Sequence, residues 1–130
     1  MSILVDANIY LAVIFDEPEK SKIIELTQED DLISPVVLPF EVGNALSAMY
    51  KRKRLDKSQI IDCYSIFQKI PVRLIDVNIQ NSLVIAADYG IYAYDAYYLE
   101  IAKRYKCNLL SLDNRMKEVA NDLGIHLMEV

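Results

Sequence analysis

A chain of 130 residues has the size of one domain, so we expect a single domain over residues 1–130. Hydrophobic residues make up 53% of the chain and charged residues 25%, which excludes a disordered polypeptide. The longest stretch without a charge, residues 77–87, is shorter than the ~18 residues that a membrane span needs. The formal net charge of −5 disfavours a simple basic nucleic-acid binder, unless some acids surround a bound cation.

The first residues and the cysteines indicate the compartment. The chain begins without a basic leader, and Asp6 interrupts the apolar run that a signal peptide would need. Cys63 and Cys107 are far apart, each among apolar residues, which is typical of buried thiols rather than of a disulfide. We therefore expect a soluble, cytoplasmic protein with no membrane segment. His126 is the only histidine and no CxxC pair occurs, so a zinc site of the usual kind is excluded and His126 is interpreted as structural.

Strands and helices are predicted to alternate along the chain. Short runs rich in Val, Ile and Leu predict strands at residues 3–5, 31–34, 72–75 and 108–112, and residues 126–128 can add an edge strand. Apolar residues at helical spacing predict helices at 9–14, 20–29, 40–53, between Ser58 and Pro71, at 79–89, 95–105 and 113–123, the fifth and sixth joined by Gly90 and the last ended by Gly124. This order predicts a three-layer α/β/α fold around a mostly parallel sheet of four or five strands. Ligands bind such sheets at the carboxyl ends of the strands, so a functional site is expected there.

Four carboxylates fall at that edge of the predicted sheet. Asp6 and Asp113 each close a strand, while Glu41 and Asp95 each stand at the start of a helix. Taken singly, each acid has a plain structural explanation, because a carboxylate at a helix start accepts backbone N–H groups and interacts favourably with the helix dipole. Their sequence neighbours, including Phe40, are apolar, however, so the four carboxylates are predicted to be partly buried together.

Grouped carboxylates indicate a particular chemistry. When they are buried together they repel one another and lose hydration, so their pKa values rise unless a cation is present. Oxygen ligands without His or Cys select a hard ion such as Mg²⁺ or Mn²⁺. Such a centre lowers the pKa of bound water and neutralises charge on a phosphodiester during in-line attack. The residues alone therefore indicate metal-assisted phosphodiester hydrolysis.

Four segments that contain these acids also carry a family resemblance: LVDAN at 4–8, PFEVGNAL at 39–46, AYDAYYL at 93–99 and LSLD at 110–113. They resemble the motifs of PIN domains and, more narrowly, those of the VapC-type ribonuclease toxins of bacterial and archaeal toxin–antitoxin pairs. The resemblance implies a PIN-like fold and endoribonuclease activity that depends on Mg²⁺ or Mn²⁺. It also implies an RNA substrate, a small antitoxin partner and a homodimer.

Carried over by residue, the resemblance makes the four acids both catalytic and metal-binding: Asp6, Glu41, Asp95 and Asp113. Asn8 stands where the family often has Ser or Thr, and Ser111 stands where it often has Thr. Both keep a hydrogen-bonding side chain, so we expect both to support the site. Asn44 lies one helical turn after Glu41, where it can orient a carboxylate or a ligand water.

Two further clusters are open to more than one interpretation. The basic run Lys51-Arg52-Lys53-Arg54 is either a solvated helix end or a contact for RNA phosphate or an acidic partner. The tyrosine-rich stretch 89–98 is interpreted as core or as a subunit or partner interface, rather than as a base-stacking surface.

Other protein classes share parts of this pattern. A phosphoacceptor receiver domain would need a second acid beside Asp6 and a Lys on its last strand, and neither is present. A haloacid-dehalogenase-like phosphatase would need an Asp where the chain has Asn8. The remaining alternative is a non-catalytic PIN-like binding module whose acids serve as helix caps or hold a partner's arginine. Metal binding separates that alternative from the enzyme, since caps satisfied by backbone N–H groups would not need Mg²⁺.

Overall fold

A parallel sheet of four strands forms the centre of the molecule, which is described by a computed structural model of residues 1–130. The strands lie in the order β3-β2-β1-β4 and comprise β1 (Ser2–Val5), β2 (Asp31–Pro35), β3 (Arg73–Ile75) and β4 (Asn108–Leu110). Leu4 of β1 pairs with Ile33 on one side and with Leu109 on the other, and all three side chains are fully buried. This near-continuous apolar composition is typical of a parallel sheet covered on both faces.

Seven helices flank the sheet: α1 (Ala7–Ile14), α2 (Lys20–Thr27), α3 (Leu38–Lys51), α4 (Lys57–Gln68), α5 (Ile79–Tyr89), α6 (Ala93–Tyr105) and α7 (Asn114–Asp122). The long apolar face of α6 packs on β1 and β2, with α5 and α7 against it, while α1 contacts α2, α3 and α4. Gly90 ends α5 with a φ of 65°, a left-handed conformation that glycine adopts without strain. The predicted α/β/α fold is confirmed. None of the helices combines the length and the apolar composition that a membrane crossing requires.

Several predicted boundaries were wrong. Residues 126–128 form no fifth strand, since a single bridge joins Leu127 to Leu109. β4 ends at Leu110 rather than at residue 112, because the backbone N–H groups of Leu112 and Asp113 donate to the side chains of Asn8 and Ser111 instead of to a neighbouring strand. α3 spans 38–51 rather than 40–53, because the first helical turn tolerates proline and because Lys53 has a left-handed φ of 58°. In addition, α2 ends at residue 27, α6 begins at 93 and β3 begins at 73.

The tyrosine-rich stretch divides into buried and exposed parts. Tyr98 is fully buried in α6, whereas Tyr92 is 84% exposed and Tyr94 is 58% exposed. Core packing therefore accounts for Tyr98 but not for the other two. Cys63 and Cys107 are half-buried rather than fully buried.

Candidate metal centre and active site

Helix starts bring the acids to the carboxyl edge of the sheet. Asp6 directly follows β1 and caps α1, while Asp113 follows β4 by three residues and caps α7. Glu41 lies in the first turn of α3, which begins three residues after β2. Asp95 lies in the first turn of α6. Because parallel strands end at the same edge, three of these acids are placed there by topology, and α6 adds the fourth.

Asp6 is the most deeply buried member of the group, with 6% of its surface exposed. Its carboxylate accepts hydrogen bonds from the backbone N–H of Ala7 and from the hydroxyl of Ser111, each at 2.7 Å. Burial raises the pKa of Asp6 from 3.8 to about 6. The two hydrogen bonds lower this pKa, whereas the negative charges of Asp95 and Asp113 raise it. Burial and the neighbouring negative charges therefore disfavour the ionised form of Asp6, while the two hydrogen bonds partly offset them.

Glu41 is held by a buried tyrosine. Burial raises the pKa of Glu41 from 4.5 to about 7, and the charges of Asp6 and Asp95 add to the effect. The hydroxyl of Tyr98 opposes it by donating a hydrogen bond to Oε1 of Glu41 at 2.7 Å. Burial and the neighbouring Glu41 also raise the pKa of Tyr98, so the phenol remains the donor. One carboxylate oxygen of Glu41 is therefore fixed.

Asp95 and Asp113 complete the group. Burial raises the pKa of Asp95 above its ordinary value, and the charge of Asp113 raises it further. Asp113 also accepts a hydrogen bond from the N–H of Met116 at 3.0 Å. Repulsion links Asp6 to Asp95 and Asp113, and Glu41 to Asp6 and Asp95. The structure thus brings the four predicted side chains into one electrostatically coupled group, while their catalytic role stays a prediction.

The predicted supporting residues differ in their contacts. Ser111 joins two acids, because its hydroxyl donates to Asp6 and accepts the N–H of Asp113 at 3.0 Å. Oδ1 of Asn8 accepts the N–H of Leu112 at 3.2 Å and so ties α1 to the segment after β4. Asn44 is exposed and lines the cleft beside Glu41.

The basic run is not part of this group. Its four side chains are exposed, and they begin at the last residue of α3, at the opposite end from Glu41. The run borders a separate open pocket of about 520 Å³ between α3 and α4.

Three functionally placed residues were not predicted from the sequence. One is Tyr98, whose spacing of one helical turn from Asp95 was the available signal. The other two form a buried pair, in which the hydroxyls of Tyr10 and Ser34 lie 2.9 Å apart. Ser34 donates to the carbonyl of Val5 at 2.6 Å, directly before Asp6 in the chain, and so anchors the end of β1.

A cleft of about 460 Å³ opens beside Glu41 and is lined by Phe40, Glu41, Asn44, Ala45 and Tyr94. The acids are partly buried as expected, but two of their apolar neighbours are not, because Phe40 is 78% exposed and Tyr94 is 58% exposed. On α3 the buried positions are Leu38, Val42 and Leu46, spaced by four. Phe40 lies two residues from the nearest of these, which turns it toward the opposite face of the helix.

The donor set fits a divalent cation. All four acids offer only carboxylate oxygens, the ligands that suit Mg²⁺ and Mn²⁺. No three Asp, Glu, His or Cys side chains are arranged as a ready-made metal cage. Mg²⁺ does not require one, because proteins usually hold it through one or two carboxylates together with waters and substrate phosphates. Burial and the neighbouring acids disfavour the ionised form of Asp6, and a divalent cation would offset that cost.

Three solved structures share this fold. PAE2754 from Pyrobaculum aerophilum is 18% identical, with 95% of this chain and 88% of that chain covered and a TM-score of 0.68. VapBC2 from Rickettsia felis, bound to a DNA fragment from its promoter, is 17% identical, with 98% of each chain covered and a TM-score of 0.69. FitAcB from Neisseria gonorrhoeae gives 12% identity, 99% and 97% coverage and a TM-score of 0.68. At these identities the likeness shows the fold alone.

Sequence comparison identifies the family. No curated protein matches the sequence. The family model of the PIN domain, in contrast, matches residues 3–122, from β1 to the end of α7, and includes all four acids. The resemblance inferred from the motifs is therefore confirmed, and the chain belongs to the PIN domain family.

Proposed function

We propose that this chain is a metal-dependent endoribonuclease that hydrolyses phosphodiester bonds of RNA, and that it is the toxin of a toxin–antitoxin pair. PIN domains are in general nucleases, which supports hydrolysis of nucleic acid. The observation that carries the proposal is the coupling of four carboxylates at one edge of the sheet: Asp6, Glu41, Asp95 and Asp113. Such a group favours a bound divalent cation over four ionised acids left to repel one another.

The four acids would hold the cation in the proposed mechanism. A bound Mg²⁺ or Mn²⁺ would supply positive charge at the scissile phosphate and lower the pKa of the attacking water. Asp6, fixed from two sides by Ala7 and Ser111, would be a rigid ligand for the ion. Glu41 keeps one oxygen on Tyr98 and would offer the other to the ion, and Asp95 and Asp113 would complete the ligand group.

Two structural neighbours support the toxin assignment, since VapBC2 and FitAcB are toxin–antitoxin complexes. By analogy, a small antitoxin protein binds this chain and covers the acidic cleft, and two copies of the chain associate as a homodimer.

The alternative of a non-catalytic binding module has one observation in its favour. Asp6 and Asp113 do cap α1 and α7 through backbone N–H groups. Glu41 and Asp95, however, cap no helix, because the N-cap positions of α3 and α6 are Val37 and Tyr92. Capping therefore explains only half of the group.

The proposed activity is tested by incubating the purified chain with a mixed pool of single-stranded RNA, with Mg²⁺ or with EDTA, and mapping the cuts. We expect cuts at a limited set of sites with Mg²⁺ and none with EDTA. A chain that neither binds Mg²⁺ nor cuts the pool would support the binding module instead.

Replacing Tyr98 by Phe should weaken metal-dependent cleavage by about 10- to 100-fold, the usual cost of losing a partner that orients a metal ligand. The change removes one buried hydroxyl and frees the oxygen of Glu41 that it holds. The measurement is the Mg²⁺ concentration that gives half-maximal cleavage, which should rise. Tyr89→Phe is the matched control, since it removes a tyrosine hydroxyl that donates to Asp122, a carboxylate outside the group of four acids. Equal Mg²⁺ dependence in both variants would show that Tyr98 does not position Glu41 for the metal.

Replacing the whole basic run, Lys51, Arg52, Lys53 and Arg54, by Gln should weaken RNA binding while leaving the cleavage rate of bound RNA nearly unchanged. The run begins about 15 Å beyond Glu41 along α3, at 1.5 Å per residue, which suits contacts to flanking phosphates. Each phosphate contact on a single strand adds about −0.7 to the slope of log affinity against log salt. We expect the slope to flatten by at least ~1. An unchanged slope with normal affinity would assign the run to a solvated helix end or to a protein partner.

A further inference from the structure

Two exposed aromatic side chains flank the acids. Phe40 directly precedes Glu41 in α3, and Tyr94 directly precedes Asp95 in α6. Both line the same cleft, although they come from different helices. A single exposed apolar side chain is common on protein surfaces, but two that line one cleft beside the four acids indicate a binding surface.

Packing does not account for either ring. Phe40 is 78% exposed. Other residues form the side of α3 that packs on the core. Tyr94 contacts Tyr97 at a right-angled orientation, with ring centroids 5.7 Å apart and planes at 80°. This edge-to-face contact orients the ring of Tyr94 without burying it, so little conformational freedom is lost when a ligand binds.

The charges around the cleft select the kind of ligand. Besides the two rings, the cleft is lined by Glu41, Asn44 and Ala45, none of which carries a positive charge. A phosphate would gain nothing from these side chains, whereas a nucleobase offers an uncharged aromatic face to the rings and polar edges to the amide of Asn44.

One exposed side of α3 connects this cleft to the basic run. Phe40, Asn44, Ser47 and Lys51 are all exposed and, at spacings of four, three and four, lie along one side of the helix. This side passes from an aromatic ring through polar groups to the start of the basic run, about 16 Å away. The order is complementary to a single strand with one base at the acids and its phosphates further along.

We propose that Phe40 and Tyr94 form a stacking site for one unpaired base next to the four acids, with Asn44 at the edge of that base. The inference rests on the proposed function for cleavage at the neighbouring phosphate, but binding of the base does not itself require cleavage. It makes an unpaired nucleotide a requirement of the site, since a base stacked within a duplex cannot also stack on the rings.

The test uses full-length protein with Asp6→Asn, which slows cleavage during binding measurements, in buffer with Mg²⁺. The probes are eight-nucleotide RNAs that carry one 2-aminopurine, placed at a different position in each. We expect strong quenching of 2-aminopurine at one or two positions on binding. Adding Phe40→Leu or Tyr94→Leu should remove that quenching and weaken binding by about 5- to 150-fold, the range for one stacked base. Both positions are exposed, so folding should be preserved.

The matched control is Tyr105→Leu, which removes a partly exposed aromatic ring at the last residue of α6, the opposite end from Asp95. The stacking site would be overturned if Phe40→Leu and Tyr94→Leu kept the quenching and the affinity of the parent protein. It would also be overturned if Tyr105→Leu lost as much of both. Loss of a bound protein partner without loss of RNA binding would also overturn it, by assigning the surface to that partner. Site-specific quenching by a protein whose wild-type form never cuts RNA would uphold the stacking site and contradict the proposed function instead.

Discussion

Asp6→Asn and Asp95→Asn should each lower the rate of RNA cleavage by at least ~100-fold, the scale for losing one strong electrostatic element of an active site. Asn keeps the shape of the side chain but removes a negative ligand for the cation. Each acid contributes to the electrostatic field at the others, so the effect extends beyond the substituted position. The measurement is the single-turnover cleavage rate of one mapped RNA at saturating Mg²⁺.

Asp76→Asn is the matched control for these two variants. Asp76 also follows the carboxyl end of a strand, but that strand is β3 at the edge of the sheet, and the side chain is exposed. Its backbone carbonyl accepts a hydrogen bond from Arg104 near the end of α6, away from Asp95. We expect a rate within about twofold of the wild type. Full activity of Asp6→Asn or Asp95→Asn, with a fold verified by circular dichroism, would contradict the assignment of the four acids.

The metal-free protein should become less stable as pH rises from about 4 to 6. Burial raises the pKa of Asp6 to about 6 in the folded state, above its ordinary value of 3.8, so folded Asp6 holds its proton more tightly. As pH rises above the pKa of Asp6 in the unfolded chain, the unfolded chain loses this proton while the folded protein keeps it. The free energy of unfolding therefore falls until Asp6 also ionises in the folded protein. A shift of about two pKa units corresponds to about 3 kcal/mol. Glu41 acts in the same direction up to about pH 7.

Asp6→Asn should therefore stabilise the metal-free protein at pH 7.5 by at most about 3 kcal/mol, the full value of the pKa shift, although it lowers the rate of cleavage. Urea unfolding in EDTA at pH 4, 6 and 7.5 measures the effect, and the variant should lose the share of the pH dependence that Asp6 contributes while it keeps the share of Glu41. Millimolar Mg²⁺ should raise the melting temperature of the wild type but not that of the variant. A wild type with flat stability between pH 4 and 7, or an equal gain from Mg²⁺ in both proteins, would show that Asp6 is not strained by missing positive charge.

Local sequence pattern was sufficient to place the four acids at one edge of the sheet and to predict most of the fold. Asp6 ends an apolar run and Asp113 follows one, so their place at the strand ends follows from the parallel topology alone. The contact between Tyr98 and Glu41 joins α6 to α3 across 57 residues, and no local pattern specifies such a pair. The exposure of Phe40 and Tyr94 likewise depends on which face of each helix packs on the core. Composition alone could not show that these two apolar neighbours of the acids are exposed.

The most direct test of the metal centre is a Mn²⁺ titration followed by electron paramagnetic resonance at pH 7.5, because it detects the ion without relying on activity. We expect saturable binding to the wild type. We also expect binding at least about tenfold weaker when any one acid is neutralised, in the variants Asp6→Asn, Glu41→Gln, Asp95→Asn and Asp113→Asn. Asp76→Asn should bind as the wild type does. No saturable binding to the wild type, or one affinity shared by all these variants, would contradict a metal centre at the four acids.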